Sequence, residues 1–393
     1  MNPFDEELSR RLETLRGQGL RRELRRVDSA QGTRIKISGK KFLNFSSNDY
    51  LGLANHPALT AAAIRAIEKF GAGAGASRLI CGSLAPFHEL EESLAHFKRT
   101  EAALTFSSGY ATAVGTIGAL LDKNDIIILD KLVHASVVDA AKLSGAKIRV
   151  FAHNDLNDLE NKLKWAEKFR IQQPKSRIQI VTESIFSMDG DAAPLREMVG
   201  LKNKYAAWLM VDEAHATGIL GQNGRGLADE LGVNDQIEIQ MGTLGKALGA
   251  SGGYICGSRP LIDFLINKAR SFIFSTAPVP AAAAAATAAI QFVQSKKGEL
   301  RQKILRKRIQ QLSSKLKTQH PKSQSAIVPV ILGDETKAVE AATKLRGQNI
   351  FVPAIRYPTV ARGRARLRVT VTAAHSADDI SQLASAMNSF LNE

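Results

Sequence analysis

AWLMVDEAHATG at residues 207–218 and IQMGTLGKALGASGG at residues 239–253 are the two stretches that decide the fold. Each begins with an apolar run, which is typical of a strand covered by helices on both faces. Each then ends in a group of small and polar residues. In an open sheet of such strands, ligands bind outside the carboxyl ends of the strands. These polar residues therefore indicate where a functional site should lie.

The same succession of strand, turn and helix repeats from about residue 100 onwards. Seven apolar runs predict strands: ALTFSS, DIIILD, KIRVFA, IQIVTES, AWLMVDE, IEIQMG and GGYICG. Intervening stretches with helical spacing include YATAVGTIGALL, HASVVDAAKL and DLENKLKWAEKF. This alternation predicts an α/β fold with a mainly parallel central sheet and helices on both faces.

Changes in composition divide the chain into three parts. Residues 1–45 predict an amphipathic helix, a polar link and a short hairpin. Residues 46–285 contain the predicted sheet and form a large domain. Residues 286–393 have longer helices and fewer strands, which predicts a smaller C-terminal α+β domain. A long helix is expected to break near Lys297–Gly298, before a basic helix over residues 299–318.

The bulk composition is that of a soluble globular protein, with 44% hydrophobic and 23% charged residues. Cys81 and Cys256 are far apart and belong to no CxxC pair, which predicts neither a disulfide nor a zinc site. The N-terminal stretch has no apolar core of a secretory signal, and no uncharged apolar run reaches the ~18 residues of a membrane span. We therefore expect a cytoplasmic protein without a metal and without a membrane partner.

The net charge of +15 is the unusual bulk property. Lys and Arg are concentrated in residues 21–26 and 301–317, in segments with helical spacing. Nucleic-acid binding is one interpretation, but there is no zinc finger, RNA-recognition signature or helix-turn-helix. A solvated basic surface is favoured over it. Attraction to an acidic partner, or to the phosphates of a nucleotide-bearing substrate, also remains open.

The ends of the two opening runs carry the main candidate residues. Asp212 closes the first run and could be a metal ligand, a helix cap or the counter-ion of a buried cation, and His215 follows three residues later. Lys246 follows the second run, beside Thr243 and among glycines that allow a ligand to approach the backbone. The turn is not a P-loop, because the upstream glycine is missing and Ala replaces the Ser or Thr after the lysine.

Other predicted strands end in further polar or small residues. These candidates share a position just beyond a strand: Ser108, Gly109, Tyr110, His134, Glu183 and Ser187. Backbone N–H groups at the start of the helix YATAVGTIGALL would suit a phosphate. His134 alone could equally be a helix-start histidine without a special role.

Together these residues match the needs of pyridoxal phosphate (PLP). The aspartate would keep the ring nitrogen protonated, so that the ring accepts electron density from a carbanion at an amino acid's Cα. The lysine would form the imine that a substrate amine displaces, and its freed amine could then move protons. Burial beside the cofactor should lower the pKa of that amine. The sequence therefore predicts a PLP enzyme with Lys246 as the attachment residue.

From about Leu20 to its last helix, the chain resembles the α-oxoamine synthases, which are fold-type I PLP-dependent transferases. The matching runs are, in order, NFSSNDYLGL, GAGASRLICGS with PFHELEE, TESIFSMDGD, VDEAHATGILGQNGRG, GTLGKALG and RLRVTVTAAH. The segment AIRYPTVARGRARLRVTVTAAH favours the members that condense L-alanine with a pimeloyl thioester in biotin biosynthesis. The resemblance also implies a homodimer with active sites at the subunit interface. Two small departures are Tyr357, where proline is common, and Tyr110, where several aromatics occur.

The resemblance assigns cofactor roles to the candidate residues. Lys246 would be the Schiff-base lysine and Asp212 the partner of the pyridine nitrogen. His215 and Ser187 would hydrogen-bond the phenolic oxygen, and His134 would stack on the ring. The phosphate end would be held by Gly109 and Tyr110, with Thr243 beside them.

The resemblance also assigns substrate roles. Asn48 would line the pocket, as would Glu183. Arg356 would bind the amino-acid carboxylate through a charge-assisted fork. Arg21 and Thr359 would contact the acyl substrate, with Arg22 as the alternative to its neighbour.

The implied reaction is a decarboxylative Claisen condensation, which releases CO2 and a free thiol. The thiol would belong to CoA or to an acyl carrier protein, and His134 would also hydrogen-bond the acyl carbonyl. The alternative within the family is a condensation of glycine with acetyl-CoA. A basic nucleic-acid-binding protein is a remote alternative, since it leaves the lysine, aspartate and histidines unexplained.

Overall fold

A computed structural model describes residues 2–317 and 325–391. The N-terminal elements are α1 (Pro3–Gly17), β1 (Arg34–Ile37) and β2 (Lys40–Asn44). Strands β1 and β2 pair in antiparallel orientation. Helix α1 buries no residue, and Phe4 on its apolar side is 70% exposed. Residues 21–26 do not form the helix that their spacing predicts; they have no regular secondary structure and lie between α1 and the hairpin.

The central sheet follows two helices, α2 (Pro57–Phe70) and α3 (Ala85–Lys98). Its seven strands are β3 (Ala102–Phe106), β4 (Ile126–Asp130), β5 (Lys147–Phe151), β6 (Ile178–Glu183), β7 (Trp208–Asp212), β8 (Ile239–Thr243) and β9 (Gly253–Gly257). The helices between them are α4 (Gly109–Leu120), α5 (Ala135–Ser144), α6 (Leu156–Gln172), α7 (Leu195–Lys204) and α8 (Leu227–Glu230). All seven predicted strands are confirmed.

The strand order is β3-β9-β8-β7-β6-β4-β5. Only β9 runs antiparallel to its neighbours, so the predicted mainly parallel α/β sheet is confirmed. Both faces are buried: along β4, Ile126 and Ile128 enter one apolar core, while Ile127 and Leu129 enter the other. This is why these strands are near-continuous apolar runs rather than alternating ones.

The rest of the chain forms longer helices and a small sheet. The helices are α9 (Arg259–Lys268), α10 (Arg270–Ile273), α11 (Pro280–Val293), α12 (Lys296–Lys315), α13 (Glu335–Gly347) and α14 (Ala377–Leu391). The strands are β10 (Ile327–Gly333), β11 (Ile350–Phe351), β12 (Ala354–Ile355) and β13 (Ala365–Thr370). Strand β13 lies between β10 and β12 and pairs antiparallel with both, whereas β11 pairs with β2 of the N-terminal hairpin. Within the described ranges, no helix is both long and apolar enough to cross a membrane.

The predicted helix break near Lys297–Gly298 is wrong by two to three residues. The helix ends at Val293, and Ser295 caps the next one by accepting the Gly298 N–H at 3.3 Å. A Cβ on Gly298 would lie 2.3 Å from the carbonyl oxygen of Phe292. The glycine therefore permits a close approach of the two helix ends and does not itself end a helix.

His153 connects the carboxyl ends of three strands. Its Nδ1 lies 3.0 Å from Asp130 Oδ1 at the end of β4, and its Nε2 lies 2.8 Å from Asp191 Oδ2 in the loop after β6. Burial lowers the pKa of His153, but its hydrogen bonds to the two aspartates outweigh this effect and raise that pKa to about 10. The charged imidazole therefore anchors the loop that carries Ser187.

We expect His153→Gln to lower the free energy of unfolding by about 1–2 kcal/mol at neutral pH, because charge-assisted hydrogen bonds are lost. The pKa of His153 is raised in the folded protein, from 6.5 to about 10, so its contribution is full below pH 6.5 and is lost as the pH rises towards 10. Thermal unfolding of wild type and variant at several pH values measures this. The exposed His96→Gln is the matched control, and a difference that does not narrow at high pH would contradict the assignment.

Candidate active site

Three neighbouring strands bring the principal candidates to one edge of the sheet. Glu183 ends β6 and lies opposite Asp212, which ends β7. Asp212 in turn lies opposite Met241 of β8, from which the chain continues into the turn of Lys246. Because parallel strands end at the same edge, the lysine and the two carboxyl groups face one another across a short distance.

Burial and mutual charge shape the ionisation of these three groups. Burial raises the pKa of Asp212 and of Glu183, and the charge of Lys246 opposes both shifts. Lys246 is partly exposed as a residue, but its amine is buried, and this burial lowers the pKa of the amine. Oε1 of Glu183 accepts no hydrogen bond of good geometry from the described residues. The cluster therefore offers more acceptor capacity than one lysine uses, as a site for an additional cationic group requires.

A hydrogen-bonded chain leads from Lys246 into the protein. Its Nζ lies 2.9 Å from Nε2 of His215, and Nδ1 of His215 lies 2.5 Å from the hydroxyl of Tyr50. Burial, followed by the charges of Lys246 and neighbouring cations, holds the pKa of His215 well below its usual value, so the ring is neutral. Tyr50 belongs to the NFSSNDYLGL run, but sequence reasoning assigned it no role.

Arg368 is a second residue that sequence reasoning missed. It is 6% exposed on β13, and its Nη1 donates to Asn48 Oδ1 and Thr370 Oγ1, both at 3.1 Å. Its Nε donates to the carbonyl of Ser187 at 2.7 Å. The available signal was the pair Arg366 and Arg368, which alternate with apolar residues in the strand RLRVTVT, since a buried arginine is rare without a partner.

The start of α4 supplies backbone donors. Ser108 caps the helix by accepting the Ala111 N–H at 3.1 Å. The N–H groups of Gly109 and Tyr110 belong to the first turn and have no intrahelical acceptor. A Cβ placed on Gly109 would lie 3.8 Å from Cβ of Thr243, so the turn after β8 adjoins this helix end. The location suits an anion such as a phosphate.

Close backbone contact makes this arrangement possible. A Cβ on Gly253 would lie 2.8 Å from both N and Cα of Gly109. Strand β9 can therefore approach the start of α4 this closely only because residue 253 is glycine. Tyr110 is 50% exposed and donates its hydroxyl to Asp139 at 2.9 Å. Its ring is thus held beside the helix start without covering it.

His134 lies at the start of α5, where its Nδ1 caps the helix and lies 2.8 Å from Ser136 Oγ. Partial burial lowers the pKa of His134; the charge of Asp212 opposes this effect and that of Lys246 adds to it. The residue as a whole nevertheless remains exposed to solvent.

The remaining candidates line a separate cleft of about 420 Å³, which includes Arg21, Arg22, Arg356 and Thr359. Arg22, and not Arg21, contacts Thr359, with Nη2 at 3.3 Å from Oγ1. Arg356 donates to the carbonyl of Gly19 at 3.1 Å. No hydrogen bond among the described residues joins Arg356 to the Lys246 cluster, where Arg368 occupies the buried position next to Asn48.

A buried ion pair supports the turn behind Asp212. Glu213, the next residue, pairs with Lys98 at the end of α3, and both side chains are 0% exposed. Lys98 also donates to the carbonyl of Arg225, and Glu213 accepts the Ala228 N–H at 2.9 Å. The pair thereby holds the segment that follows β7 in place.

Comparisons of the sequence and of the structure with known proteins identify related enzymes. The family model of class I and II aminotransferases matches residues 40–387. An 8-amino-7-oxononanoate synthase of Thermoanaerobacter pseudethanolicus is 46% identical, over 95% of this chain and 93% of its own. A serine palmitoyltransferase of S. paucimobilis solved with bound PLP superposes with a TM-score of 0.90 at 29% identity, covering 99% of this chain and 98% of that one. An 8-amino-7-oxononanoate synthase of Francisella tularensis superposes with a TM-score of 0.74 at 28% identity, covering 89% and 98%.

We expect Lys98→Met to destabilise the protein by about 3–5 kcal/mol, because it leaves the Glu213 carboxylate buried without its cation. Adding Glu213→Gln to that variant removes the unpaired charge and should recover part of the loss. Thermal unfolding of the three proteins measures the order. Lys303→Met, which breaks an exposed pair with Glu299, should change the unfolding temperature far less than Lys98→Met does. A double variant no more stable than Lys98→Met would contradict this account.

Proposed function

Because this chain belongs to the class I and II aminotransferase family and, within it, to the 8-amino-7-oxononanoate synthases, we propose that it joins L-alanine to a pimeloyl thioester. The products are 8-amino-7-oxononanoate, CO2 and a free thiol, which makes the protein a PLP-dependent acyltransferase of biotin biosynthesis. The observation that carries this proposal is the buried Lys246 amine, hydrogen-bonded to His215 and facing Asp212 and Glu183.

The residues of the site fit PLP. The free N–H groups of Gly109 and Tyr110 would hold the phosphate beside Thr243. Asp212 would hold the pyridine nitrogen, and the Glu183 carboxyl lies in the same cluster. The exposed ring surface of His134 is available for stacking. When bound, PLP supplies a ring that withdraws electron density from the amino acid's Cα.

Lys246 is suited to move the Cα proton. Burial lowers the pKa of its amine and so favours the unprotonated form, in which Nζ accepts a proton. His215, bonded to Nζ, limits the positions that the amine can take. The resemblance adds Ser187 and His215 as partners of the cofactor's phenolic oxygen, and His134 as a donor to the acyl carbonyl.

We assign the alanine carboxylate to Arg368, in place of Arg356. The guanidinium of Arg368 is buried beside Asn48, and its charge lowers the pKa of Lys246 and opposes the rise in the pKa of Tyr50. Its Nε and Nη1 donate to Ser187, Asn48 and Thr370, so Nη2 is the donor best placed for an incoming carboxylate. Arg356, with Arg21, Arg22 and Thr359, would instead bind the acyl donor, whose CoA or carrier-borne phosphates match the positive cleft.

The structure also supports a homodimer. Ile80 is 80% exposed and Phe274 is 69% exposed. The Ser77–Thr276 bridge joins the loops that carry them, and Ser271 of α10 donates to Ala111 of α4 at 2.5 Å. Large apolar side chains exposed together mark a surface for a partner. We propose that a second copy of the chain covers this surface next to the phosphate end of the site.

A cytoplasmic location fits the cysteines. Cys81 is exposed, Cys256 is buried, and neither forms a disulfide. Buried free thiols and the lack of a disulfide within the described chain are usual in a reducing compartment.

Thiol release by the PLP-loaded protein tests the function. L-alanine, glycine and L-serine are compared, each with pimeloyl-CoA and acetyl-CoA. We expect rapid release only with alanine and pimeloyl-CoA, and none from Lys246→Ala, which also lacks the visible absorbance of covalently held cofactor. Release with glycine and acetyl-CoA would instead assign the sister reaction. If only a pimeloyl carrier protein supports release, the donor is carrier-bound.

Matched lysine variants test the arginine assignment. Arg368→Lys keeps the charge but loses the planar fork, so the KM for alanine should rise at least about tenfold while the KM for the thioester changes little. Arg356→Lys should raise chiefly the KM for the thioester, by about three- to tenfold. The reverse pattern would restore Arg356 as the carboxylate-binding residue.

A further inference from the structure

The hydroxyl of Tyr50 has one hydrogen and two neighbouring acceptors. It lies 2.5 Å from His215 Nδ1 and 3.2 Å from Asn48 Oδ1. The side chain is fully buried, and its backbone is tied on both sides: its N–H donates to the Asn48 carbonyl, and its carbonyl accepts from Ala373, both at 2.8 Å. The phenol is therefore held in place, and only the destination of its hydrogen is open.

The surrounding hydrogen bonds decide that destination. Oδ1 of Asn48 already accepts a charge-assisted hydrogen bond from Arg368 at 3.1 Å. If Tyr50 also donated there, His215 would have to carry its hydrogen on Nδ1 and donate to the phenol. At 2.5 Å, the contact between Tyr50 and His215 is shorter than N–H donors usually make and is within the range of O–H donors. The Arg368 guanidinium also makes Asn48 the weaker acceptor. The hydrogen of Tyr50 therefore goes to Nδ1 of His215.

The ionisation of both groups agrees with this direction. Burial raises the pKa of Tyr50 to about 12, so the phenol keeps its hydrogen near neutral pH. Burial and the charges of Lys246, Arg368 and His134 lower the pKa of His215, so the ring has a single N–H. A neutral imidazole that accepts at Nδ1 carries that hydrogen on Nε2.

We propose that Tyr50 is a positioning residue: by donating to Nδ1 of His215, it keeps the imidazole hydrogen on Nε2, facing the amine of Lys246. The amine accepts this hydrogen bond through its lone pair only in its unprotonated form, which its burial favours. With PLP bound, His215 meets the cofactor as a hydrogen-bond donor, which is the role that the family resemblance gives it. The identity of that acceptor rests on the proposed function, whereas the tautomer does not.

Nitrogen NMR of the full chain tests the tautomer directly. The protein is labelled with [15N]histidine and measured with and without PLP, and His215→Gln assigns the two ring signals. We expect Nε2 to be protonated, and Nδ1 to be unprotonated but shifted by an accepted hydrogen bond. In Tyr50→Phe the Nδ1 signal should move to that of a free lone pair. A protonated Nδ1 in wild type overturns the proposal, even if the variant does not fold.

Steady-state kinetics supply the second readout. Tyr50→Phe should lower kcat about tenfold, as expected for the loss of one hydrogen bond that orients an active-site group, and leave both KM values within about twofold. The matched control is Tyr254→Phe, which removes an equally buried phenol that bonds Thr217 Oγ1 at 2.9 Å; it should leave the His215 signals unchanged. An unshifted Nδ1 signal in Tyr50→Phe overturns the proposal. If wild type shows the Nε2 tautomer but releases no thiol, the proposed function is contradicted and the tautomer proposal still holds.

Discussion

The register of three neighbouring parallel strands is the constraint on which the site depends. It places Glu183 opposite Asp212 at the carboxyl edge of the sheet, and the next strand runs into the turn of Lys246. Burial opposes the charged form of all three groups, and their opposite charges compensate for part of that cost. A reactive amine and two acceptors can therefore be kept without bulk water, which is the environment that PLP chemistry requires.

Residues from outside the sheet complete this arrangement. Tyr50 comes from the segment before α2, and Arg368 comes from β13 of the small C-terminal sheet. The contact of each with Asn48 joins the two regions of the chain through one amide oxygen. His215 links this polar chain to Lys246. The pKa of the lysine is thus lowered in part by the charge of Arg368, which is 122 residues further along the chain.

Part of the positive charge of the chain is concentrated in the outer cleft that contains Arg356. Arg21, Arg22, Arg25, Arg346 and Arg356 all line the outer cleft, and Glu23 is the acidic residue among its lining groups. An irregular segment after α1, and not a helix, carries the first three of these arginines. An anionic acyl donor would be attracted to this entrance before it meets the buried lysine.

Local sequence determined the strands and the glycine-rich turn, and it predicted Lys246, Asp212, His215 and His134 as site residues, because apolar runs and strand-end residues are short-range patterns. It did not determine which arginine is buried. Arg356 and Arg368 both lie in the segment AIRYPTVARGRARLRVTVTAAH, where polar and apolar residues are mixed. Only the pairing of β13 with β10 and β12 directs Arg368 towards Asn48. Nor did any local pattern distinguish Tyr50, since its partner His215 is 165 residues away. Burial and hydrogen-bond direction are properties of the assembled chain, so tertiary structure alone decided them.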